Sequence, residues 1–271
     1  EHVPSVVYST HAGQEVGRAI ADVLFGEENP AGRVSMTWYK SVDQLPEFMD
    51  YDIIQGNRTY RYFDGEPLYP FGYGLSYTTF DYQALKLNAP SIEGSENAKI
   101  NLTVTVKNTG EIDGEEVVQV YGRVEQSRVK RPLKQLLAFR RVKLSAGETK
   151  EIPFSIPLSE LAVWDVTRER FVIEQASYTL FAGSSSAHLP LKSPLDVSGE
   201  KIPPRDLTQL TRAVNYDAYA GVILGECHEG GSAIEVTGSE GWISFNDAEF
   251  GSGAASVTIR AASAEGGTLD V

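Results

Sequence analysis

Tyr69-Pro70-Phe71-Gly72-Tyr73-Gly74-Leu75-Ser76-Tyr77-Thr78-Thr79-Phe80 decides the fold, because helix-and-strand sequence stops there and all-β sequence begins. Tyr69, Phe71 and Tyr73 alternate with Pro70, Gly72 and Gly74, so on an extended backbone three rings leave one side and almost nothing leaves the other. Such a strip can be pressed flat against a neighbour. Gly72 and Gly74 admit backbone angles closed to other residues, which suits a chain turning sharply between two bodies. An open linker would be rich in Ser, Pro or charge, whereas this stretch is aromatic, and each buried ring brings a large apolar area. It reads as a stiff, buried joint, set against the plainer reading of a core strand with a glycine bend.

The 271 residues around it leave room for about two domains of ordinary size. An apolar share of 41% supports a sizeable core. The formal charge of −13 argues against nucleic acid, whose phosphates need clustered Lys and Arg, and equally against an anionic membrane surface. A neutral partner such as a sugar is compatible. Cys227 is the single cysteine, so no internal disulfide is available and the compartment is left open. No run approaches the ~20 apolar residues of a membrane helix, and Glu1-His2-Val3-Pro4 does not open a signal peptide.

Before the joint, Val3 to Tyr8 is a short apolar run that reads as a buried strand leading into a turn at Gly13. From Gln14 the period changes: Val16, Ala19, Ile20, Val23 and Leu24 fall on one helical face. Glu15 suits the start of that helix and Gly26 the position past its end. After the turn Asn29-Pro30-Ala31-Gly32, Val34, Met36 and Trp38 alternate as a strand. Strand, helix, strand is a piece of an α/β layer. Parallel sheets are normally covered on both faces, so the missing cover is expected from sequence before Glu1. Gly13 and Gly17 do not make a phosphate loop, since the spacing differs and no Lys-Ser or Lys-Thr follows. His11 has no second histidine, cysteine or matched carboxylate at ligand spacing, so it is expected to be exposed or locally hydrogen-bonded.

Together, Ala12-Gly13-Gln14-Glu15, Ala19-Ile20-Ala21-Asp22-Val23-Leu24-Phe25-Gly26, Asn29-Pro30-Ala31-Gly32-Arg33, Arg58-Thr59-Tyr60-Arg61-Tyr62-Phe63 and the joint resemble the end of the second, α/β sandwich domain of glycoside hydrolase family 3. That family contains β-glucosidases and β-xylosidases, and Thr37-Trp38-Tyr39 resembles the xylosidase branch. Where a Tyr-Pro pair commonly precedes Gly-Gln-Glu in the family, this chain has His11-Ala12.

From Asp81 to Pro194 the period is two: Ile100, Leu102, Val104 and Val106; Val118 and Val120; Ile152, Phe154 and Ile156; Tyr178, Leu180 and Ala182. Asn108-Thr109-Gly110, Asp113-Gly114 and Ala146-Gly147 punctuate these runs as turns. About seven strands in such a pattern predict an immunoglobulin-like sandwich. Asn108-Thr109-Gly110, Asp113 to Tyr121, Arg131-Pro132-Leu133-Lys134-Gln135-Leu136, Phe139-Arg140-Arg141-Val142 and Gly147-Glu148-Thr149 resemble the fibronectin type III-like domain of many family 3 enzymes. Arg128, Lys130, Arg131, Lys134, Arg140 and Arg141 make a basic cluster, expected to be a solvated edge pairing with nearby carboxylates and not a binding patch. Trp164, among Leu161, Ala162 and Val163, is expected in the core.

Residues 195–211, with Pro203-Pro204, read as a linker. Beyond it, Trp242, Ile243 and Phe245 and then Val257 and Ile259 suggest β-structure. The stretch from Asn215-Tyr216 to Gly221-Val222, then Glu229-Gly230-Gly231, Gly241-Trp242-Ile243 and Phe250-Gly251-Ser252-Gly253-Ala254, resembles the first half of carbohydrate-binding module family 6. Where such modules often carry calcium-binding glutamates this chain has Arg212 and Val214, and where a tyrosine often stacks on sugar it has Val236, so no metal is carried over. Trp242 is read as a core residue before a stacking platform. Half a sandwich leaves an inner face unpaired, so a loosely held tail is expected.

The expected organisation is therefore mixed. A partial α/β segment (1–80) is followed by an immunoglobulin/fibronectin III-like sandwich (81–194), a linker (195–211) and a partial, jelly-roll-like β-sandwich (212–271). Glycoside cleavage with retention needs two carboxyl groups ~5–5.5 Å apart. By resemblance the nucleophilic aspartate and the acid/base glutamate both lie upstream of Glu1. Glu15 and Asp64 are accounted for by helix-start and turn roles. No catalytic, cofactor or metal residue is assigned in this chain. The resemblance implies a secreted or periplasmic β-glycosidase acting on xylan- or β-glucan-derived oligosaccharides, with the missing catalytic domains as partner. A free-standing carbohydrate-binding or structural module, or a surface-protein spacer, is the alternative.

Overall fold

The computed structural model describes residues 5–10, 12–48, 51–95, 97–263 and 266–271. Val3 and His11 lie outside them. The chain divides into two compact units, residues 1–164 with 171–201, and residues 165–170 with 202–271.

The first unit is built on a β-sandwich. One sheet orders β1 (Phe80–Leu87), β3 (Lys99–Asn108) and β6 (Thr149–Pro157). The other runs β2 (Ser91–Glu93), β10 (Leu191–Ser198), β9 (Ala176–Gly183), β4 (Gly114–Val124) and β5 (Gln135–Leu144). All neighbours are antiparallel except β10 with β2. The alternation expected from sequence sets the register: Leu102 faces Phe154 and Val104 faces Ile152 across β3 and β6, and all four side chains are buried in one core with Val118, Val120, Leu180 and Leu195. β10 runs through the boundary expected at residues 194 and 195 and ends at Ser198.

β4 departs from simple alternation, because every residue from Val118 to Gly122 is buried. Glu116, Val118 and Val120 point to the sandwich core, while Gln119 and Tyr121 carry the opposite face under the front segment. A strand covered on both faces has no solvent side to mark its period.

In the front segment the helix expected from Val16 forms as α1 (Val16–Leu24), with Glu15 at its N-cap and Gly26 just past its end at φ +82°. None of its residues is fully buried, and Leu24 and Phe25 are largely exposed. The strand expected up to Tyr8 is absent from residues 5–10, where Val6, Val7 and Tyr8 are exposed. A strand persists only where a neighbour supplies the other half of its hydrogen bonds, and among the described residues no backbone group bonds to residues 5–10. The second strand is reduced to pieces: Val34 N–H donates to Tyr73 O at 2.9 Å, Gly72 N–H to Val34 O at 2.8 Å, and Trp38 N–H to Tyr69 O at 2.9 Å. A short second helix, α2 (Thr59–Tyr62), follows.

Between β6 and β9 stand the short strands β7 (Val163–Asp165) and β8 (Arg170–Val172). Trp164, expected in the core, is exposed and lies edge-on to Phe171, while Leu158, Leu161 and Val172 are buried. An apolar run does not give phase: in a strand adjacent residues face opposite ways, and Asp165 takes the inward position.

The second unit holds three two-stranded pieces: β11 (Arg205–Asp206) with β16 (Ala248–Glu249), β12 (Ala218–Ala220) with β15 (Trp242–Ser244), and β13 (Val222–Glu226) with β14 (Ser232–Val236). Arg205, expected in a linker, is buried and grips Asp217 with two bonds of 3.0 and 2.7 Å. Trp242 is about half exposed and not a core residue, and no strand forms at Val257 or Ile259.

Candidate functional site

The densest polar and aromatic convergence is the joint, where the front segment is fastened to the outer face of the five-stranded sheet. Pro70 to Tyr73 makes a turn closed by Tyr73 N–H to Pro70 O at 3.1 Å, with Gly72 at φ +81° in its third position. That turn type requires a positive angle there. It also breaks the expected single strip of rings: Tyr69 and Tyr73 stack on each other at 5.3 Å, and Phe71 stacks at 4.3 Å on Tyr60, which meets Tyr121 edge-on at 5.9 Å. A Cβ on Gly72 would collide with the Gln119 side-chain amide. That amide donates to Gly72 O at 3.1 Å and to Ser184 O at 2.5 Å, and it accepts from Tyr121 OH at 2.6 Å.

A buried charge pair crosses beside it. Arg33 reaches Glu116 at 2.8 Å with side chains 8% and 3% exposed, and Tyr82 OH donates to the other carboxylate oxygen at 2.9 Å. Burial pushes the Glu116 carboxyl above its ordinary range, against the pull of Arg33 and the Tyr82 bond. It pushes the Tyr82 and Tyr121 phenols far up as well.

Polar ties extend from this centre in both directions. Asn29 accepts from Ser76 OH at 2.9 Å and Tyr77 N–H at 2.8 Å, and donates to Asp113 O at 3.1 Å. The buried Asn108 accepts from Thr78 OH at 2.6 Å and donates to Ile112 O and Leu144 O at 2.8 and 3.2 Å. From α2, Arg61 donates to Gln135 at 3.1 Å and accepts from Leu133 N–H at 2.6 Å, and Tyr60 OH accepts from Leu136 N–H at 3.1 Å. Thr59, a branched residue, is held at φ +63° where α2 begins, an unusual conformation for its type.

These groups position and fasten. The buried glutamates Glu116 and Glu174 are each closed off by an arginine, the second by Arg131 at 2.7 Å. Neither presents a free carboxylate to a cleft. Glu15 and Asp64 are exposed. Among the described residues no three of His, Cys, Asp and Glu gather as a metal site, and no helix is long and apolar enough to cross a membrane. Four of the six residues of the basic cluster are spent locally, and the Arg131 side chain is only 9% exposed where a solvated edge was expected: Arg131 also donates to Leu161 O, Lys134 to Ser186 O, Arg141 pairs with Glu115, and the Arg140 guanidinium lies over Phe154. Sequence reading singled out neither Arg33 with Glu116 nor Asn29 and Gln119. The one available signal was Glu116 and Gln119 flanking and interrupting the apolar run Val117, Val118 and Val120 of β4.

Comparison with known proteins places these segments. Residues 1–77 match the glycosyl hydrolase family 3 C-terminal domain, and residues 116–186 match the fibronectin type III-like domain. Neither match includes the tail. The chain is 39% identical to a β-xylosidase of Formosa agariphila over 71% of its own length and 27% of that protein's. It is 35% identical to a periplasmic β-glucosidase of Salmonella typhimurium, over 70% of the chain and 26% of the relative. A crystal structure of the family 3 β-glucosidase from Bifidobacterium adolescentis superposes with a TM-score of 0.61 at 31% identity, covering 69% of this chain and 29% of that one. The chain thus spans about a quarter of the length of the curated relatives it matches. Through residues 1–77 and the sandwich that the joint fastens to them, it belongs to glycosyl hydrolase family 3, as that family's C-terminal domain followed by a fibronectin type III-like domain.

Proposed function

We propose that this chain is the C-terminal portion of a retaining, exo-acting β-glycosidase that removes terminal xylose or glucose from plant-polysaccharide oligosaccharides, and that its catalytic carboxylates lie outside these residues. Its own work is structural: it completes the α/β sandwich domain and braces it with the fibronectin-like sandwich. The observation that carries this reading is the pairing of a buried, polar-locked joint with the open apolar side of α1, where Leu24 and Phe25 are 61% and 84% exposed. A face of that kind calls for a covering partner, and the catalytic domains of a longer protein are the partner proposed. Xylosides are the favoured substrates, in keeping with Thr37-Trp38-Tyr39 and with the Formosa relative. A secreted or periplasmic location is proposed with it, in keeping with the Salmonella relative's name.

The test is to assay the full reading frame and this 271-residue chain side by side on aryl β-xylosides and β-glucosides. The full protein should turn over at least one of them and the chain neither. Turnover by the chain that a single carboxylate substitution abolishes, or an inert full protein, overturns the reading.

A further inference from the structure

We propose that Trp164 and Phe171 form a stacking platform on the fibronectin-like sandwich for a neutral, β-linked polysaccharide. The class of ligand rests on the glycosidase reading above, while the platform itself rests on geometry. The two rings touch edge to face, with centroids 5.2 Å apart and planes at 75°, and are 47% and 67% exposed. Their neighbours in the chain Leu158, Leu161 and Val172 are the residues taken into the interior, at 0%, 4% and 2% exposure, while the two rings stay outside. A tryptophan left outside the core is a feature to be explained.

Two planes nearly at right angles make a corner. A pyranose ring laid on the indole presents its C–H-rich face to one wall and its edge to the other, and each ring holds the other in place, so little side-chain freedom is lost on binding. Phe171 offers no polar group and Trp164 a single N–H donor, which suits recognition through flat apolar faces. The net charge of −13 repels anionic polymers and leaves neutral ones unopposed. Phe139 is as exposed, at 66%, but lies on β5 away from this pair in sequence and serves as a comparison.

The experiment is affinity electrophoresis of the full chain through gels cast with neutral arabinoxylan, neutral mixed-linkage β-glucan or anionic polygalacturonate, with thermal midpoints measured alongside. Wild type should be retarded in at least one neutral gel and not in polygalacturonate. Trp164→Ala and Phe171→Ala should each weaken retardation about tenfold, Trp164→Phe should keep most of it, and Phe139→Ala should match wild type. Independently of any alanine variant, a Trp38→Phe/Trp242→Phe chain, whose remaining indole is Trp164, should shift its fluorescence on addition of xylo-oligosaccharide or cello-oligosaccharide. An unretarded wild type, Trp164→Ala retarded like wild type, a silent fluorescence titration, or loss of binding only on Trp242→Ala each overturns the proposal. Hydrolysis by the full protein with no retardation of this chain sinks the platform alone. Retardation without hydrolysis by the full protein sinks the glycosidase reading alone.

Discussion

Substituting Arg33 by Met tests whether the joint is held by its buried charge pair. Arg33 and Glu116 are 2.8 Å apart with side chains 8% and 3% exposed, so solvent cannot take over when one partner goes. The substitution keeps the unbranched stem, removes the guanidinium and leaves a buried carboxylate with the Tyr82 hydroxyl at 2.9 Å as its side-chain partner. Breaking such a pair costs about 3–5 kcal/mol, which for a body of this size is roughly 6–20 °C in thermal midpoint. The loss has a direction in pH. Burial already raises the Glu116 carboxyl above its usual 4.5. A raised acid binds its proton more tightly folded than unfolded, so the stability linked to it is fully present below 4.5 and is lost as pH climbs through the folded value. Without Arg33 that window extends upward. The Arg33→Met deficit should therefore be larger at about pH 8 than at about pH 5, read by calorimetry on wild type and variant. Adding Glu116→Gln should recover most of the loss, since removing both charges is often close to neutral. A deficit below about 1 kcal/mol, or one flat in pH, refutes the reasoning.

Three further outcomes follow from the same contacts. Gly72→Ala should destabilise by more than about 1 kcal/mol, because it combines a positive φ with a collision against Gln119, and chemical denaturation should show a lowered midpoint at unchanged slope. Asn108→Ala should cost about 1–3 kcal/mol by stranding the Thr78 hydroxyl and the buried Leu144 carbonyl, with faster amide exchange at the start of β1. Arg131→Ala should cost about as much as Arg33→Met by leaving the buried Glu174 without its counter-charge, with the Ser127 hydroxyl at 2.9 Å as its remaining side-chain donor, whereas Arg141→Ala, whose side chain is 63% exposed, should change stability by less than about 1 kcal/mol.

How much of this was legible beforehand depended on whether a residue's partner was near in sequence or marked by period. The sandwich strands alternate against one core and were readable at Ile100 to Val106 and Ile152 to Ile156. The Asn108-Thr109-Gly110 turn announced itself, though not that its asparagine would tie Thr78 to Leu144. The joint was legible as a place but not as a shape: alternation promised one strip of rings, and the turn at Gly72 sends Phe71 to Tyr60 while Tyr69 and Tyr73 keep each other. Arg33 and Glu116 stand 83 positions apart, and nothing local marks either as the other's partner. Val6 and Trp164 were misread for one reason: apolar character says that a residue gains from burial, not that a neighbour is present to bury it.

The joint also has no slack. Tyr77 is pinned to Asn29, Phe80 already belongs to β1, and of Thr78 and Thr79 between them the first is buried. Two residues reach at most ~7 Å, so no swinging arm exists by which one copy could lend its front segment to another. Exchange of that element between molecules would require tearing Arg33 from Glu116 and Tyr60 from Tyr121 first. A protease seeking an exposed strap between front segment and sandwich would find no length of free chain to grip.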